Sequence, residues 1–342
     1  MIKHLRIRKA REHPLITILL LIVIIVAWSL AGSLIHSQKT NRIMASYLLQ
    51  DKSITSLFFS STTPYSLKSI PDPICTQPTS VDFIAHEDDD LLFMSPDLLH
   101  DIQAGNCVRT IYFTAGDDGR DNVYWLSRQK GAETAYDSML GKAGESWNEQ
   151  IIKLPGGQLA TIANPSGNNK ITLVFLHIPD GNLRGNGFNS TSHQSLEKLY
   201  TGKIQTIETV DKTSSYTSAQ LVQTLISFMQ TFQPNLIRSQ SSNAGTANHD
   251  HSDHINVARF TTLAYKAYIK QHPKTLPSIT YYRGYPIRGL PANITNKDDI
   301  SAKTKAFTAY GAFDGASCRK IMFCYTQAIY GLYLRREYTS PY

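Results

Sequence analysis

From Ser80 onward, short β-branched apolar runs alternate with stretches of helical length, and this alternation constrains the fold more than any other feature. Residues 81–85 and 107–114 read as strands, 170–178 as the most apolar strand of the chain, and 236–239 and 279–282 as two more. Between them the punctuation predicts helices. The first opens at Ser95-Pro96-Asp97, with Ser95 as N-cap, and closes at Gly105. A longer one is capped by Asn122 and runs to about residue 140. Residues 216–232 form an amphipathic helix stopped by Pro234. Ser252 caps a helix reaching about residue 272, and 318–335 form the last. Strands separated by helices of this length imply βαβ units and a largely parallel α/β sheet. Residues 148–162, around Pro155-Gly156-Gly157, read instead as an antiparallel hairpin.

The N-terminal part has a different character. Residues 15–35 are uncharged and mostly apolar. A helix of about 20 residues spans a bilayer core, and the run exceeds the roughly 7–15 residues of a signal-peptide core. An uncleaved transmembrane anchor is therefore expected rather than a cleaved export signal, which would leave a secreted protein. Lys3, Arg6, Arg8, Lys9 and Arg11 outweigh Lys39 and Arg42 on the other side, so the 1–14 tail is expected in the cytoplasm and the rest outside. Residues 36–79, Ser/Thr/Pro-rich, read as a stem, and 80–342 as one folded domain with enough of the chain's 42% hydrophobic content to bury a core. Part of the net charge of +7 sits in the tail, and the body has no basic stripe with interleaved aromatics, which argues against a nucleic-acid partner. Cys75, Cys107, Cys318 and Cys324 lack zinc-site spacing. An exported location permits disulfides, and Cys75–Cys107 with Cys318–Cys324 is one of three pairings, beside four free buried thiols.

Two acidic–histidine clusters carry the chemistry: Ala85-His86-Glu87-Asp88-Asp89-Asp90, directly after the first strand, and His249-Asp250-His251-Ser252-Asp253-His254, shortly after the 236–239 strand. Sites in open α/β sheets form at the carboxyl ends of strands, where both clusters sit. Catalytic zinc takes three ligands from His, Asp and Glu and leaves a position for water. His86 and Asp89, three apart on a turn, can face one ion, and His254 can complete the set. Asp88 is then the candidate general base, His251 the donor to an oxyanion and leaving amine, and Asp253 the group that fixes an imidazole tautomer. The plainer readings are a solvated loop and an acidic helix start favoured by the helix dipole. Calcium prefers oxygen ligands to imidazoles, whereas iron(II) suits the same donors as zinc.

These residues resemble the PIG-L/LmbE-like family of zinc-dependent de-N-acetylases. Its motifs, of the types Ala-His-Pro-Asp-Asp-Glu and His-x-Asp-His, read here as Ala85-His86-Glu87-Asp88-Asp89-Asp90 and His251-Ser252-Asp253-His254. Tyr124-Trp125-Leu126-Ser127-Arg128, Leu176-His177-Ile178-Pro179-Asp180-Gly181-Asn182, Ser195-Leu196-Glu197-Lys198-Leu199 and Tyr282-Arg283-Gly284-Tyr285-Pro286 are similar to one branch of it, and the likeness spans roughly residues 80–335. The resemblance implies a Rossmann-like sheet with helices on both faces. It implies zinc on His86, Asp89 and His254, Asp88 as base, His251 stabilising the oxyanion, and Asp253 tuning that imidazole. Arg128 would face the substrate and Asp180 the pocket rim. Glu87 stands where proline is usual, and Asp90 where glutamate is usual. Together with the anchor, this predicts hydrolysis of an N-acetyl group on an N-acetylglucosamine-type sugar outside the cytoplasm. The alternatives are a glycan-binding domain on the same fold and a metal-dependent amidase or esterase acting on another substrate.

Overall fold

Among the described residues nine strands share one sheet. The computed structural model describes residues 65–66, 74–142, 144–243, 250–274, 276–318, 320, 324 and 330–340. The expected anchor, the basic tail and most of the expected stem lie outside them. Among the described residues no helix is long and apolar enough to cross a membrane.

In chain order the strands are β1 (Tyr65–Ser66), β2 (Thr79–Ile84), β3 (Cys107–Thr114), β4 (Trp147–Lys153), β5 (Leu159–Pro165), β6 (Ile171–Ile178), β7 (Ile207–Glu208), β8 (Ser215–Tyr216), β9 (Leu236–Gln240), β10 (Ser278–Tyr282) and β11 (Thr339–Ser340). β7 and β8 form a separate ribbon, and the others stand in the order β1-β4-β5-β6-β3-β2-β9-β10-β11. β6, β3, β2, β9 and β10 are mutually parallel, while β4, β5 and β6 run antiparallel in succession. The expected hairpin is thus present, as an extension of the parallel sheet. Every residue of β2, β3 and β6 is buried. A parallel strand covered on both faces needs no polar alternation, which is why these segments read as largely apolar runs, with Asp82 and Arg109 as buried charged exceptions.

The helices are α1 (Asp89–Phe93), α2 (Asp97–Gln103), α3 (Asn122–Met139), α4 (Leu196–Tyr200), α5 (Ser218–Phe232), α6 (Ser252–Gln271), α7 (Lys297–Gly311) and α8 (Tyr330–Tyr333). Val81, Phe83 and Phe113 pack on one face with Leu225, Phe228 and Phe260 from α5 and α6. Ile84, Val108 and Tyr112 pack on the other with Leu99, Ala132 and Phe307 from α2, α3 and α7. Each fully buried side chain of this size contributes about 1.5–3 kcal/mol, so the sheet is held from both sides.

Several boundaries differ from the sequence reading. Pro96, not Ser95, occupies the cap position of α2. Asp121 rather than Asn122 caps α3, accepting from Tyr124 N. α5 starts two residues late because Tyr216 pairs with Ile207 in the ribbon; Thr217 and Gln220 then form a reciprocal capping box. The expected last helix appears as α8; Cys318 and Leu334 are not helical, and most residues between Cys318 and Tyr330 lie outside the described set. Within the expected stem, Tyr65–Ser66 pair with Ile152–Lys153 of β4, and Cys75 is bridged to Cys107; the second disulfide joins Cys318 and Cys324.

β2 has β3 on one side and β9 on the other, so the chain's course across the sheet reverses there. The carboxyl ends of β2 and β9 therefore flank the crevice where α/β folds hold their ligands.

Candidate metal centre

Leaving β2, the chain turns at residues 85–88 into α1; leaving β9 at Gln240, it returns at Asp250 to start α6. Gln240 ties the two turns together. Its Oε1 accepts from Ala85 N at 3.0 Å and its Nε2 donates to Asp89 Oδ2 at 2.8 Å. Asp89 Oδ2 also accepts from the His86 backbone N–H and lies 2.9 Å from His86 Nδ1. Asp89 Oδ1 lies 3.1 Å from His254 Nε2. One carboxylate thus stands between two imidazole nitrogens contributed by loops far apart in sequence. The His86 and His254 rings are 5.4 Å apart.

His254 is held by a residue the sequence reading passed over. Asp250 Oδ1 accepts from His254 Nδ1 at 2.8 Å, from His251 N at 2.8 Å and from Tyr285 N at 3.0 Å. An ionised carboxylate only accepts, so Nδ1 carries a proton and Nε2 is the nitrogen through which His254 can meet an ion. Gly284 makes this approach possible, since a Cβ there would sit 2.5 Å from both Asp250 oxygens and His254 Nδ1. Asp250 stands four residues before His254 in the same cluster, a spacing that could have revealed it; Gln240 offered no comparable signal. His249 lies outside the described residues.

His251, rather than Ser252, is the N-cap of α6, and its Nδ1 accepts from Asp253 N at 3.2 Å. The remaining proton is therefore on Nε2, 3.8 Å from Asp180 Oδ1. Asp253 Oδ2 accepts from Gly181 N at 2.8 Å and lies 3.4 Å from His86 Nε2, against 3.7 Å from His251 Nδ1. Its carboxylate lies nearer His86 than His251, and its backbone N–H donates to His251 Nδ1. Asp180 reaches both rings, 3.8 Å from His86 Nε2 and from His251 Nε2.

Two sets of ligand atoms lie within 4.8 Å of one another: His86, His251 and His254; and His86, Asp180, His251 and Asp253. His254 Nε2 and Asp253 Oδ1 are buried without any hydrogen-bond partner. Buried polar atoms in this condition call for a partner, and an imidazole lone pair beside a carboxylate suits a divalent cation. Phe93 and Tyr285 pack edge-on against the His254 ring, at 5.6 and 5.0 Å, and shield it from water.

Arg128, expected to face the substrate, lies inside the fold. It is 7% exposed. Nη2 donates to Asp88 Oδ1 at 2.8 Å, Nη1 to Gly116 O at 2.6 Å and Nε to Tyr310 Oη at 2.6 Å. Asp90 is anchored by the Tyr112 and Tyr136 hydroxyls, 2.8 and 2.9 Å from its Oδ2. From His86 to Asp90, Asp88 alone is not fully buried.

The electrostatics follow from this crowding. Burial opposes charging the His254 ring, but Asp89 and Asp250 outweigh it and push its pKa up to about 10. His86 moves up for the same reason, with Asp89 opposing burial. Burial and the neighbouring His86 charge push His251 down to about 4, so it is neutral at pH 7. Asp89 falls well below the usual range because His254 and His86 outweigh its burial. Burial raises Asp88 to about 6 against the pull of Arg128. The carboxylates therefore hold positive charge at His86 and His254, and a divalent cation supplies the same charge when it replaces those protons.

Residues 81–265 match the family model described as PIG-L: GlcNAc-PI de-N-acetylase, a segment that includes both histidine clusters. The chain belongs to the PIG-L family. Solved structures similar to this PIG-L member include the conserved protein TT1542 from Thermus thermophilus, at 13% identity over 78% of this chain and 93% of that one, with a TM-score of 0.41. The N,N'-diacetylchitobiose deacetylase from Pyrococcus horikoshii is 13% identical over 77% and 79%, with a TM-score of 0.40. The zinc-inhibited form of teicoplanin deacetylase Orf2 is 14% identical over 75% and 90%, also at 0.40. No curated protein matches the chain.

Proposed function

We propose that this PIG-L member is a metal-dependent hydrolase that removes the N-acetyl group from an N-acetylglucosamine-type sugar in a glycan or glycoconjugate. The observation that carries the reading is the position of Asp89 between His86 Nδ1 and His254 Nε2, with the partly exposed carboxylate of Asp88 next in the chain. His86, Asp89 and His254 would hold the ion, preferred here to the all-histidine set because Asp250 leaves the His254 Nε2 lone pair free while Asp253 faces the far nitrogen of His86. Zinc fits these donors, as does iron(II). When bound, the ion supplies Lewis acidity, activating water and polarising the amide carbonyl.

The chain's own groups supply the rest. Asp88, with Oδ1 occupied by Arg128, keeps its second oxygen for the proton of the attacking water and can return it to the leaving amine. Neutral His251 has its N–H at Nε2 and donates it to the oxygen on which negative charge develops. Asp253 fixes the His86 tautomer, and Asp180 lines the side of the site beside His251. The apolar segment at 15–35 would tether the domain to a membrane with its catalytic part outside the cytoplasm, a setting in keeping with two disulfides. Its substrate would then be a surface or secreted glycan.

The test uses the purified full-length protein. It should carry one zinc or iron per chain and release acetate from chitooligosaccharides. Asp88→Asn should lower turnover by about 10²–10⁴-fold with the metal retained. Full activity in that variant would refute the assignment of the base, and absence of a stoichiometric metal would refute the mechanism.

A further inference from the structure

We propose that Arg128, Tyr310 and Asp314 position the base Asp88, rather than bind substrate, through a hydrogen-bonded chain that enters the site from α7. The inference rests on the reading of Asp88 as base. The chain runs inward from a fixed end. Asp314 Oδ1 accepts from Ala316 N at 2.8 Å and from Tyr124 Oη at 3.1 Å. Asp314 Oδ2 accepts from Tyr310 Oη at 2.8 Å, and Tyr310 Oη in turn accepts from Arg128 Nε at 2.6 Å. Arg128 Nη1 is pinned on Gly116 O, and Nη2 points at Asp88 Oδ1.

Each link uses a directional group where a looser one would serve a purely structural role. A guanidinium is planar, so fixing Nε and Nη1 fixes the direction of Nη2. Asp88 then has one rotamer in which Oδ1 is held and the other oxygen is free. Asp314 Oδ2 and Glu87 Oε2 lie 3.7 and 3.5 Å from Arg128 Nε. A substrate-facing arginine would offer its head outward, whereas this one is buried with all three nitrogens engaged.

The packing of α3 on α7 serves the same contact. Gly131 lies in the interior of α3, where glycine costs about 1 kcal/mol relative to alanine. A Cβ there would meet Tyr310 Cδ2 at 2.8 Å and Tyr310 O at 3.0 Å. Glycine lets α7 come close enough for the Tyr310 hydroxyl to reach Arg128. Tyr310 and Asp314 both lie beyond residue 265, outside the segment that matches the family model, whereas Asp88 and Arg128 lie within it.

The experiment compares the metal-loaded full-length protein with Tyr310→Phe, and with Gly131→Ala as a second variant that leaves every polar group in place. Both should lose about tenfold or more in kcat, with KM and metal content within twofold of the wild type, and Arg128→Lys should lose more because one ammonium cannot make the fork. Crystal structures of the two variants should show Arg128 Nη2 displaced from Asp88 Oδ1. An unchanged kcat, or a loss confined to KM, would overturn the proposal. So would an unchanged 2.8 Å contact in both crystal structures, a readout that does not need turnover. A wild-type protein that binds its metal but releases no acetate would instead overturn the proposed reaction, and the crystal structures would still decide whether Arg128 is held by Tyr310.

Discussion

Replacing Asp250 by Asn tests the centre through a residue that touches no substrate. Asp250 Oδ1 accepts three N–H groups, from His254 Nδ1, His251 N and Tyr285 N, all within 3.0 Å. The amide of Asn has the same shape and keeps an acceptor oxygen for all three, so the substitution removes charge rather than contacts. Burial opposes ionisation of Asp250, but the charge and hydrogen bond of His254 outweigh it and hold the carboxyl below its usual range, so the native residue is ionised at pH 7. Without that negative charge beside its Nδ1–H, the His254 ring becomes a weaker donor at Nε2. Loss of such an outer partner typically costs about 10–100-fold in metal affinity, or roughly 1.4–2.7 kcal/mol. Two assays read this. Competition with a chromogenic chelator should show zinc affinity lowered by that factor. Thermal unfolding at one fixed, saturating zinc concentration should show the zinc-dependent gain in stability reduced by the same free energy. An affinity within twofold of wild type, in a variant that folds normally, would mean that Asp250 only braces the turn before α6 and would refute the reasoning.

Three further outcomes follow from the same geometry. Burial raises Asp88 to about 6 and a bound cation can only lower it, and the base works ionised; kcat/KM should therefore fall with unit slope as pH drops through about 6 or below, and an acid limb centred above pH 7 would contradict this. Lys303 Nζ is buried and donates to the carbonyls of Leu92, Ser95 and Arg336. Lys303→Met should lower stability by about 3–5 kcal/mol in urea titration, because three carbonyls lose their donor, and a loss under about 1 kcal/mol would show that water replaces it. The disulfide between Cys75 and Cys107 closes a loop with a sequence separation of 32. Replacing both cysteines by serine should destabilise by about 3–4 kcal/mol on the chain-entropy estimate, visible as a lower melting temperature, and an unchanged one would mean that the segment before β2 is held by other contacts.

Much of this molecule was legible in the chain because the relevant physics is local. Full burial on both faces makes β2, β3 and β6 largely apolar, so their identity as strands of a mostly parallel sheet follows from composition and spacing. His86 and Asp89 belong to one turn, and Asp250 and His254 to one short stretch, so two clusters display most of the candidate ligands. Helix starts were less legible. They depend on which of two adjacent polar residues turns its side chain inward, and at α3 and α6 the preceding residue does so.

What required the tertiary structure is the direction in which side chains point. Asp253 was expected to tune its near neighbour His251, yet the fold turns its carboxylate closer to His86, 167 residues away. Arg128 was expected to face the substrate; only the packing of α3 on α7 gives it Tyr310 as a partner and Asp88 as a target. Residue types and short spacings record which chemistry is available, whereas contacts between distant segments leave no periodic trace in a single chain. For this protein the amino-acid order thus determined the sheet and the donor set, and the folded packing decided which donor faces which.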